Sequence, residues 1–292
     1  MDSSKKAILE TLIYSDIFDY PLSEGEIWKF LHADKKIKKK SFIKKVKEIN
    51  SVVEHEKDML FLKGKRKSVI RRIEREKESL QKIEYAKKII KKIFLVPTVL
   101  FVGISGSLSV LNASKNDDID LFIIARKNTV WASRFFVILL LKFLGVHRRR
   151  GGKDIKNKFC LNMIIDESSL KFSKAKQDLY TAHEIAQVLP IIERGQTYSR
   201  FINSNLWIKK HLPNILEDVK NRKFEGRAKI PLPVSVLENI FKWPQSFFIK
   251  RNRTTETVRD HFLAFHPRDY RTRTMLTYNG KLIKHGLFPQ KN

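Results

Sequence analysis

The sequence predicts a mixed α/β (α+β) fold, with a small mixed β-sheet between a helical N-terminal unit and a helical C-terminal region. Three patterns support this prediction. Strand-like apolar runs alternate with helical periodicity in the middle of the chain. Helical patterns followed by two short apolar runs occupy the start, and helical patterns dominate beyond residue 170. The 292 residues can form two or three domains. We expect the segments 1–65, 66–95, 96–170 and 171–292.

The N-terminal unit, residues 1–65, has the pattern of a winged helix, in which three helices are followed by a β-hairpin. Ser23 and Glu26 have the spacing of a capping box and predict the start of the second helix. After the third helix, short apolar runs at 51–53 and 59–62 predict the two strands of the hairpin.

The third helix stands in the recognition position of such a unit and is rich in lysine. The lysines on and around it are Lys38, Lys39, Lys40, Lys44, Lys45 and Lys47. Lysines can contact phosphates, whereas no Arg or Gln stands there to hydrogen-bond base edges. Two interpretations stay open: nucleic-acid binding that is independent of sequence, and a winged helix that serves only packing or protein contacts.

A long charged helix at 66–94 leads into the middle unit and ends before Pro97, because proline disfavours helical geometry in the residue before it. The pattern then predicts strands at 99–104, 119–125 and 158–165 and a helix at 129–144, with a site at the strand ends. Beyond it we expect helices at 174–188, 197–211 and 234–250, a polar link at 214–233 and a basic tail from Arg251 onward.

Two short motifs in the middle unit point to chemistry. The first predicted strand is followed by Gly106 and Ser107, a small-residue turn that opens a helix and offers unpaired backbone N–H groups to an anion. The next strand presents Asp118 and Asp120 on one face, because side chains alternate along a strand. Two carboxylates that lie so near each other need a cation between them or a raised pKa. Oxygen ligands favour Mg²⁺, which also binds substrate phosphates. These residues therefore indicate a site for a nucleoside triphosphate and its metal.

This pattern resembles the signature of the polymerase beta-type nucleotidyltransferase superfamily: an apolar strand, Gly-Ser, ten residues, and then Asp-x-Asp in a second apolar strand. The resemblance covers residues 98–125, under a tenth of the chain. It implies a minimal nucleotidyltransferase domain in which Asp118 and Asp120 are catalytic and hold Mg²⁺. Gly106 and Ser107 would hold an NTP such as ATP, whose nucleoside monophosphate passes to an acceptor hydroxyl. The competing interpretation is a structural turn beside a capping Asp cluster.

The resemblance also implies a third carboxylate on a neighbouring strand, and there this chain departs from the pattern. Asn162 stands mid-strand where the acid is expected, and asparagine supplies neither charge nor a general base. Asp166 at the strand end or Glu184 on the next helix could substitute. Two functions follow: a transferase acting on a small molecule, an RNA end or a protein side chain, and a catalytically inactive nucleotide- or nucleic-acid-binding regulator.

Two further features lie near the predicted site. The loop Arg148-Arg149-Arg150-Gly151-Gly152-Lys153 either clamps a triphosphate or acceptor anion or is a solvated run of charges. Cys160 lies in an apolar run, and we assign it to the core rather than to chemistry.

The composition limits partners and location. Lys and Arg number 59 against 31 Asp and Glu, a net charge of +28, which fits either polyanion partners or a lysine-rich compositional bias. A single cysteine excludes an intrachain disulfide and fits a reducing compartment. The start of the chain lacks the apolar region of a signal peptide, and the apolar run at 135–141 is too short to span a bilayer. We expect a cytoplasmic protein without a membrane partner.

Overall fold

Two β-sheets organise the protein. The computed structural model describes residues 2–49, 52–149, 151–152, 154–215, 234–251, 257–265 and 269–288. These residues form helices together with a three-stranded and a six-stranded sheet. The predicted mixed α/β class is therefore confirmed.

The N-terminal part folds around its own apolar core. Its elements are α1 (Ser3–Asp16), β1 (Leu22–Ser23), α2 (Glu24–Lys29), α3 (Lys39–Val46), β2 (Val53–Glu56) and β3 (Met59–Leu62). Strand β3 lies between β1 and β2 and is antiparallel to both. The capping box at α2 is confirmed: Ser23 Oγ accepts from the Glu26 N–H at 3.2 Å, and the Glu26 carboxylate accepts from the Ser23 N–H at 2.9 Å.

The larger sheet lies at the centre of the second part of the molecule. The strands of this sheet and the helices around it are, in chain order, α4 (Lys67–Ile93), β4 (Val99–Ile104), α5 (Gly106–Ser109), β5 (Ile119–Ala125), α6 (Val130–Phe143), β6 (Phe159–Asp166), α7 (Leu179–Ala186), β7 (Leu189–Glu193), α8 (Thr197–Ser204), α9 (Val234–Arg251), β8 (Thr257–Arg259), β9 (Phe262–Ala264) and α10 (Tyr270–Lys284). The strand order is β7-β4-β5-β6-β9-β8, and β5 and β6 are the parallel pair. The strands and the helix predicted between residues 99 and 165 are confirmed to within one residue at each end.

The strand directions bring three chain segments to one end of the sheet. Because β4 is antiparallel to β5, its last residues lie beside the start of β5, and the Ser105 N–H donates to the Asp120 carbonyl at 2.9 Å. Because β6 is parallel to β5, its start lies there too, with Cys160 paired to Asp120. The predicted site therefore lies where three strands meet.

The prediction of an entirely helical C-terminal region was wrong. Residues 189–193 form β7 on the outer edge of β4, and β8 and β9 form a hairpin on the edge of β6. These strands pair backbone groups that β4 and β6 would otherwise leave open. Pro190 is tolerated because β7 is an edge strand with a register shift opposite Gly103. Of the predicted polar link, residues 216–233 lie outside the described part of the chain, as do the tail residues Arg253 and Arg268.

Among the helices that the structure describes, none combines the length and the apolar content needed to cross a bilayer. The apolar face of α6 instead packs on the sheet, where Val130, Trp131, Val137 and Leu141 are buried.

Arg72 of α4 joins the N-terminal part to the loop that follows α5. Its guanidinium donates to the carbonyls of Val110 and Leu111 at 3.2 and 2.9 Å and to Glu26 Oε1 at 3.1 Å. It also lies over the Tyr20 ring, 4.1 Å from the centroid, and the residue is only 4% exposed. One buried cation thus satisfies acceptors from two parts of the fold.

Replacing Arg72 by Leu should lower the free energy of unfolding by about 3 kcal/mol, because the half-buried Glu26 carboxylate loses its cation and the Val110 and Leu111 carbonyls lose the guanidinium as a donor. The neighbouring Arg71 is the control: its ion pair with Asp19 is exposed, so Arg71→Leu should cost no more than about 1 kcal/mol. Urea denaturation of both variants measures the difference. Equal losses would show that the Arg72 contacts do not hold the two parts together.

Candidate metal centre

Two carboxylates and a thiol converge at the edge where β4, β5 and β6 meet. Asp118 directly precedes β5, Asp120 is the second residue of that strand, and Cys160 is the second residue of β6. One ligand atom from each of these three partly buried residues lies within 4.8 Å of the others. The structure therefore brings Asp118 and Asp120 together, as the alternation along the strand predicts.

Arg148 neutralises part of this charge. Its Nη1 donates to Asp118 Oδ2 at 2.7 Å, and its guanidinium also contacts the Cys160 thiol. The backbone N–H of Arg148 donates to the Phe159 carbonyl at 3.0 Å, which fixes this residue beside β6. The basic loop thus contributes its first arginine to the site. Arg149 is exposed, and Arg150 and Lys153 lie outside the described residues.

The carboxyl groups keep their protons more tightly than free side chains do. Burial, followed by the charge of Asp118, raises the pKa of Asp120 to about 7. Burial also raises the pKa of Asp118, while the Arg148 guanidinium opposes that shift. A divalent cation between the two carboxylates would relieve both effects, because it stabilises the ionised forms.

The Gly-Ser turn lies directly against this pair. Gly106 has φ +65°, a left-handed conformation that favours glycine. A Cβ at this position would lie 2.7 Å from Asp120 Oδ2, a distance shorter than Cβ atoms adopt in proteins. Ser107 is exposed, and the first N–H groups of α5 have no partner within the helix. The two motifs of the sequence are therefore one structural unit, in which only glycine fits beside the carboxylate.

The third position carries an amide that is already engaged. Asn162 is buried and donates from Nδ2 to Ser105 Oγ at 3.1 Å, across the strand that carries Asp120. The register between β5 and β6 shifts at this point, so Asn162 is the extra residue of a β-bulge.

Asp166 lies at the opposite end of β6. It pairs with Ala125, the last residue of β5, and is fully buried. Its carboxylate accepts from the Asn128 N–H at 2.8 Å and from the Ser168 N–H at 2.9 Å, and lies 2.8 Å from His261 Nδ1. The structure does not bring Asp166 to the carboxylate pair, and these bonds give it a role in fixing two loops.

Glu184 of α7 is the other candidate substitute, and it faces the site. It lines a cavity of about 20 Å³ together with Ser105 and Asn162. Burial raises its pKa to about 7, and its charge contributes to the raised pKa of Asp120. Of the two carboxylates expected as substitutes at the third position, Glu184 lies beside Ser105 and Asn162, whereas Asp166 lies at the far end of β6.

The sequence analysis missed the position of Cys160, which we assigned to the core. Cys160 and Asn162 interrupt the apolar run at 159–165, and their spacing of two is a signal that they share a face. Burial and the nearby carboxylates raise the pKa of the thiol to about 12, so it stays protonated and donates to Asp120.

The donor set fits a hard divalent cation. Asp118 and Asp120 offer carboxylate oxygens, the ligands that Mg²⁺ takes.

Neither family models, nor curated proteins, nor solved structures give a match to this chain.

The raised pKa values predict how stability changes with pH. In the folded protein the pKa of Asp120 rises from 3.8 to about 7, so the folded state binds this proton more tightly than the unfolded state does. Without divalent cations, the contribution of Asp120 to the free energy of unfolding should fall as pH rises from about 4 to about 7 and then level off. Asp120→Asn should flatten that part of the curve.

Urea titrations at a series of pH values measure this effect. Glu184→Gln should flatten the same range, since its pKa rises from 4.5 to about 7. Replacing the exposed Asp154 by Asn is the control and should leave the curve unchanged. An unaltered pH profile in both Asp120→Asn and Glu184→Gln would show that these carboxyls are not held in the protonated form.

Proposed function

We propose that this protein is a Mg²⁺-dependent nucleotidyltransferase that moves a nucleoside monophosphate from an NTP to an acceptor hydroxyl. The observation that carries the proposal is the contact of the Gly106 turn with the Asp120 carboxylate, within a cluster that also contains Asp118. An anion-binding turn and a cation-binding carboxylate pair in direct contact suit a ligand that carries both charges, such as a metal-bound triphosphate.

The residues divide the reaction between them. The turn at Gly106 and Ser107 holds the triphosphate, and Asp118 and Asp120 hold the cation. When bound, Mg²⁺ supplies charge stabilisation for the departing pyrophosphate. The acceptor oxygen bonds to the α-phosphorus, the bond to the pyrophosphate oxygen breaks, and the hydroxyl proton passes to a carboxylate. Glu184 is suited to that last role, because its pKa of about 7 lets it exchange a proton near neutral pH.

Arg148 has a role in both states of the site. It donates to Asp118 at 2.7 Å and so balances the pair before a cation arrives. With a cation bound at Asp118, the same guanidinium would be available to donate to phosphate oxygens, for which its planar geometry is suited.

The N-terminal part supports a proposed winged-helix unit. Three helices precede β2 and β3, and β1 completes the small sheet. Lys38, Lys39, Lys40, Lys44 and Lys47 are exposed, whereas Lys45 is paired with Asp2 and Glu48. Exposed lysines on one helix suit phosphate contacts without base recognition, so we propose sequence-independent nucleic-acid binding by this unit.

A second candidate function is a catalytically inactive regulator that binds nucleotide or nucleic acid. The bound amide of Asn162 favours it, because the sheet then supplies two carboxylates rather than three. The two candidates differ in one respect: a regulator binds the NTP without releasing pyrophosphate. A cytoplasmic location also stays a proposal, supported by the single free cysteine.

Removing the carboxylate pair should abolish metal-dependent chemistry. We expect the Asp118→Asn/Asp120→Asn variant to lose several kcal/mol of charge stabilisation, which is about a thousandfold in rate. The assay incubates the full chain with each labelled NTP and Mg²⁺ and follows pyrophosphate release and self-labelling. Asp154→Asn, an exposed carboxylate, is the control and should keep full activity.

Two outcomes of this assay would change the proposal. Mg²⁺-dependent NTP binding without pyrophosphate release, for any acceptor class tried, would favour the regulator. Unchanged nucleotide affinity and activity in the double variant would place any nucleotide site elsewhere.

The turn offers a second test, for which Ser107 is the better residue. Gly106→Ala would be strained by the positive φ and by the contact with Asp120, so stability and binding would change together. Ser107→Ala removes one exposed hydroxyl and should weaken NTP binding by about 1.5–3 kcal/mol with an unchanged Tm. Ser109→Ala is the matched control, since its hydroxyl donates to the Gly106 carbonyl of its own helix at 2.7 Å. Calorimetric titration with Mg-NTP gives the affinities, and equal affinities in both variants would argue against a triphosphate at Ser107.

A further inference from the structure

A large pocket adjoins the carboxylate pair on the β6 side. It has a volume of about 610 Å³ and is lined by α6, α9, the start of β6 and Phe265, the residue after β9. Cys160 and Arg148 form the wall that it shares with the metal centre. This volume is within the range of small-molecule sites, and Arg148, which lines the pocket and donates to Asp118, connects it to the carboxylate pair.

The pocket combines an apolar lining with cations. Leu139, Ile249 and Phe265 supply apolar surface, while Arg134 and Lys142 supply positive charge. Arg134 has no carboxylate partner among the residues that the structure describes: its Nη1 donates to the Gln245 amide oxygen, and its guanidinium lies 4.9 Å from the centroid of the Phe265 ring. Burial without an anionic partner is costly for a cation, and it lowers the pKa of Arg134 to about 10.

Two buried nitrogen atoms in this lining have no hydrogen-bond partner among the described residues. They are Arg134 Nε and His147 Nδ1. Buried polar atoms in folded proteins are nearly always hydrogen-bonded, and those that are not often mark a ligand position. An anionic group beside Arg134 would satisfy both the charge and a free donor.

The order of the strands says which reactant this pocket suits. The triphosphate turn lies at the end of β4, the carboxylate pair at the start of β5, and the pocket beyond β6, with β5 between β4 and β6. In an in-line displacement the attacking oxygen and the leaving pyrophosphate lie on opposite sides of the phosphorus. With the pyrophosphate on the β4 side, the attacking hydroxyl comes from the β6 side.

We propose that this pocket binds the acceptor and that the acceptor is a small hydroxyl-bearing organic anion with an apolar body. Its anionic group lies at Arg134, its apolar body on Leu139 and Phe265, and its hydroxyl toward Asp118 and Asp120. The role of this ligand as acceptor rests on the proposed transferase reaction. The pocket and the chemical class of its ligand do not depend on that reaction. An RNA end or a protein side chain fits this lining less well, because neither pairs a single anionic group with a compact apolar body.

The experiment measures binding to the full chain by calorimetry, without nucleotide or Mg²⁺, so that its result is independent of transferase activity. The probe is a hydroxydecanoate. Decanediol has the same apolar body without charge, and glycolate has the hydroxyl and the charge without the body. We expect the hydroxydecanoate to bind at least about tenfold more tightly than either, since a hydrogen-bonded charge pair contributes that much.

Two variants locate the binding site. Arg134→Gln should weaken hydroxydecanoate binding about tenfold or more and leave decanediol unchanged. Leu139→Glu tests the apolar wall at an exposed residue, where folding is unaffected, and should abolish binding of the hydroxydecanoate. Phe143→Glu is its matched control: it lies on the same helix, is 86% exposed and is absent from the pocket lining, so affinity should not change.

Three results would overturn the proposal. Hydroxydecanoate binding no tighter than that of decanediol would remove the anion from the ligand class. If both Arg134→Gln and Leu139→Glu bound the hydroxydecanoate as tightly as the unaltered protein does, the binding site would lie elsewhere. Displacement of the probe by a nucleoside would assign the pocket to the nucleotide rather than to the acceptor. Pyrophosphate release could still occur in each case, so these results leave the transferase proposal to its own test.

Discussion

The structure of the site depends on a backbone turn that lies in direct contact with a carboxylate. Gly106 approaches Asp120 so closely that no Cβ fits between them, and this contact connects the end of β4 to the start of β5. It also limits how the charge of Asp120 can be balanced. The Cys160 thiol donates to Asp120, whereas Arg148 is bonded to Asp118. A neutral donor does not compensate a carboxylate as a cation does, so this position favours the binding of a further positive charge.

The N-terminal part packs against α7, the helix that carries Glu184. His32 Nε2 lies 2.8 Å from His183 Nε2, and His32 Nδ1 lies 3.0 Å from the Tyr278 hydroxyl of α10. Tyr14 of α1 stacks on the His183 ring with centroids 4.2 Å apart. Burial lowers the pKa of His183 to about 3 and that of His32 well below its ordinary value, so both rings are neutral and one donates to the other. Because Glu184 follows His183, its position opposite Asp120 depends on this packing.

The sequence determined the local elements better than their assembly. The bounds of β4 and β5 and the capping box at Ser23 could be predicted, because alternation and capping are set by neighbouring residues. The strand at Leu189–Glu193 could not, because it is defined by pairing with β4, and its proline suggested a helix end instead. A strand that completes a sheet edge is recognised from its partner rather than from its own pattern.

In the candidate site, too, features set by neighbouring residues could be predicted, and those set by the assembly of the fold could not. The pairing of Asp118 with Asp120 follows from their spacing on one strand, and the structure brings them together. Asp166 and Glu184 were equivalent substitutes in the sequence, since their distances from the pair depend on the register of β6 and on the packing of α7. The register places Asp166 opposite Ala125, at the far end of β5. Cys160 was assigned to the core because its strand is mostly apolar, and only the parallel pairing with β5 shows that it faces Asp120.

The replacement of a strand carboxylate by one on a helix changes what holds the site together. A third acid at residue 162 would be fixed by the hydrogen bonds of the sheet, like Asp120 itself. Asn162 instead binds Ser105, and a further carboxylate that acts on Asp120, Glu184, comes from α7. That helix is positioned by side-chain packing against α1 and α10, through Tyr14, His32 and Tyr278. If Glu184 completes the site as proposed, the charge available to a metal-bound triphosphate is set by how the N-terminal part and the C-terminal helix dock on α7. The parts of the chain outside the sheet are then required for the chemistry.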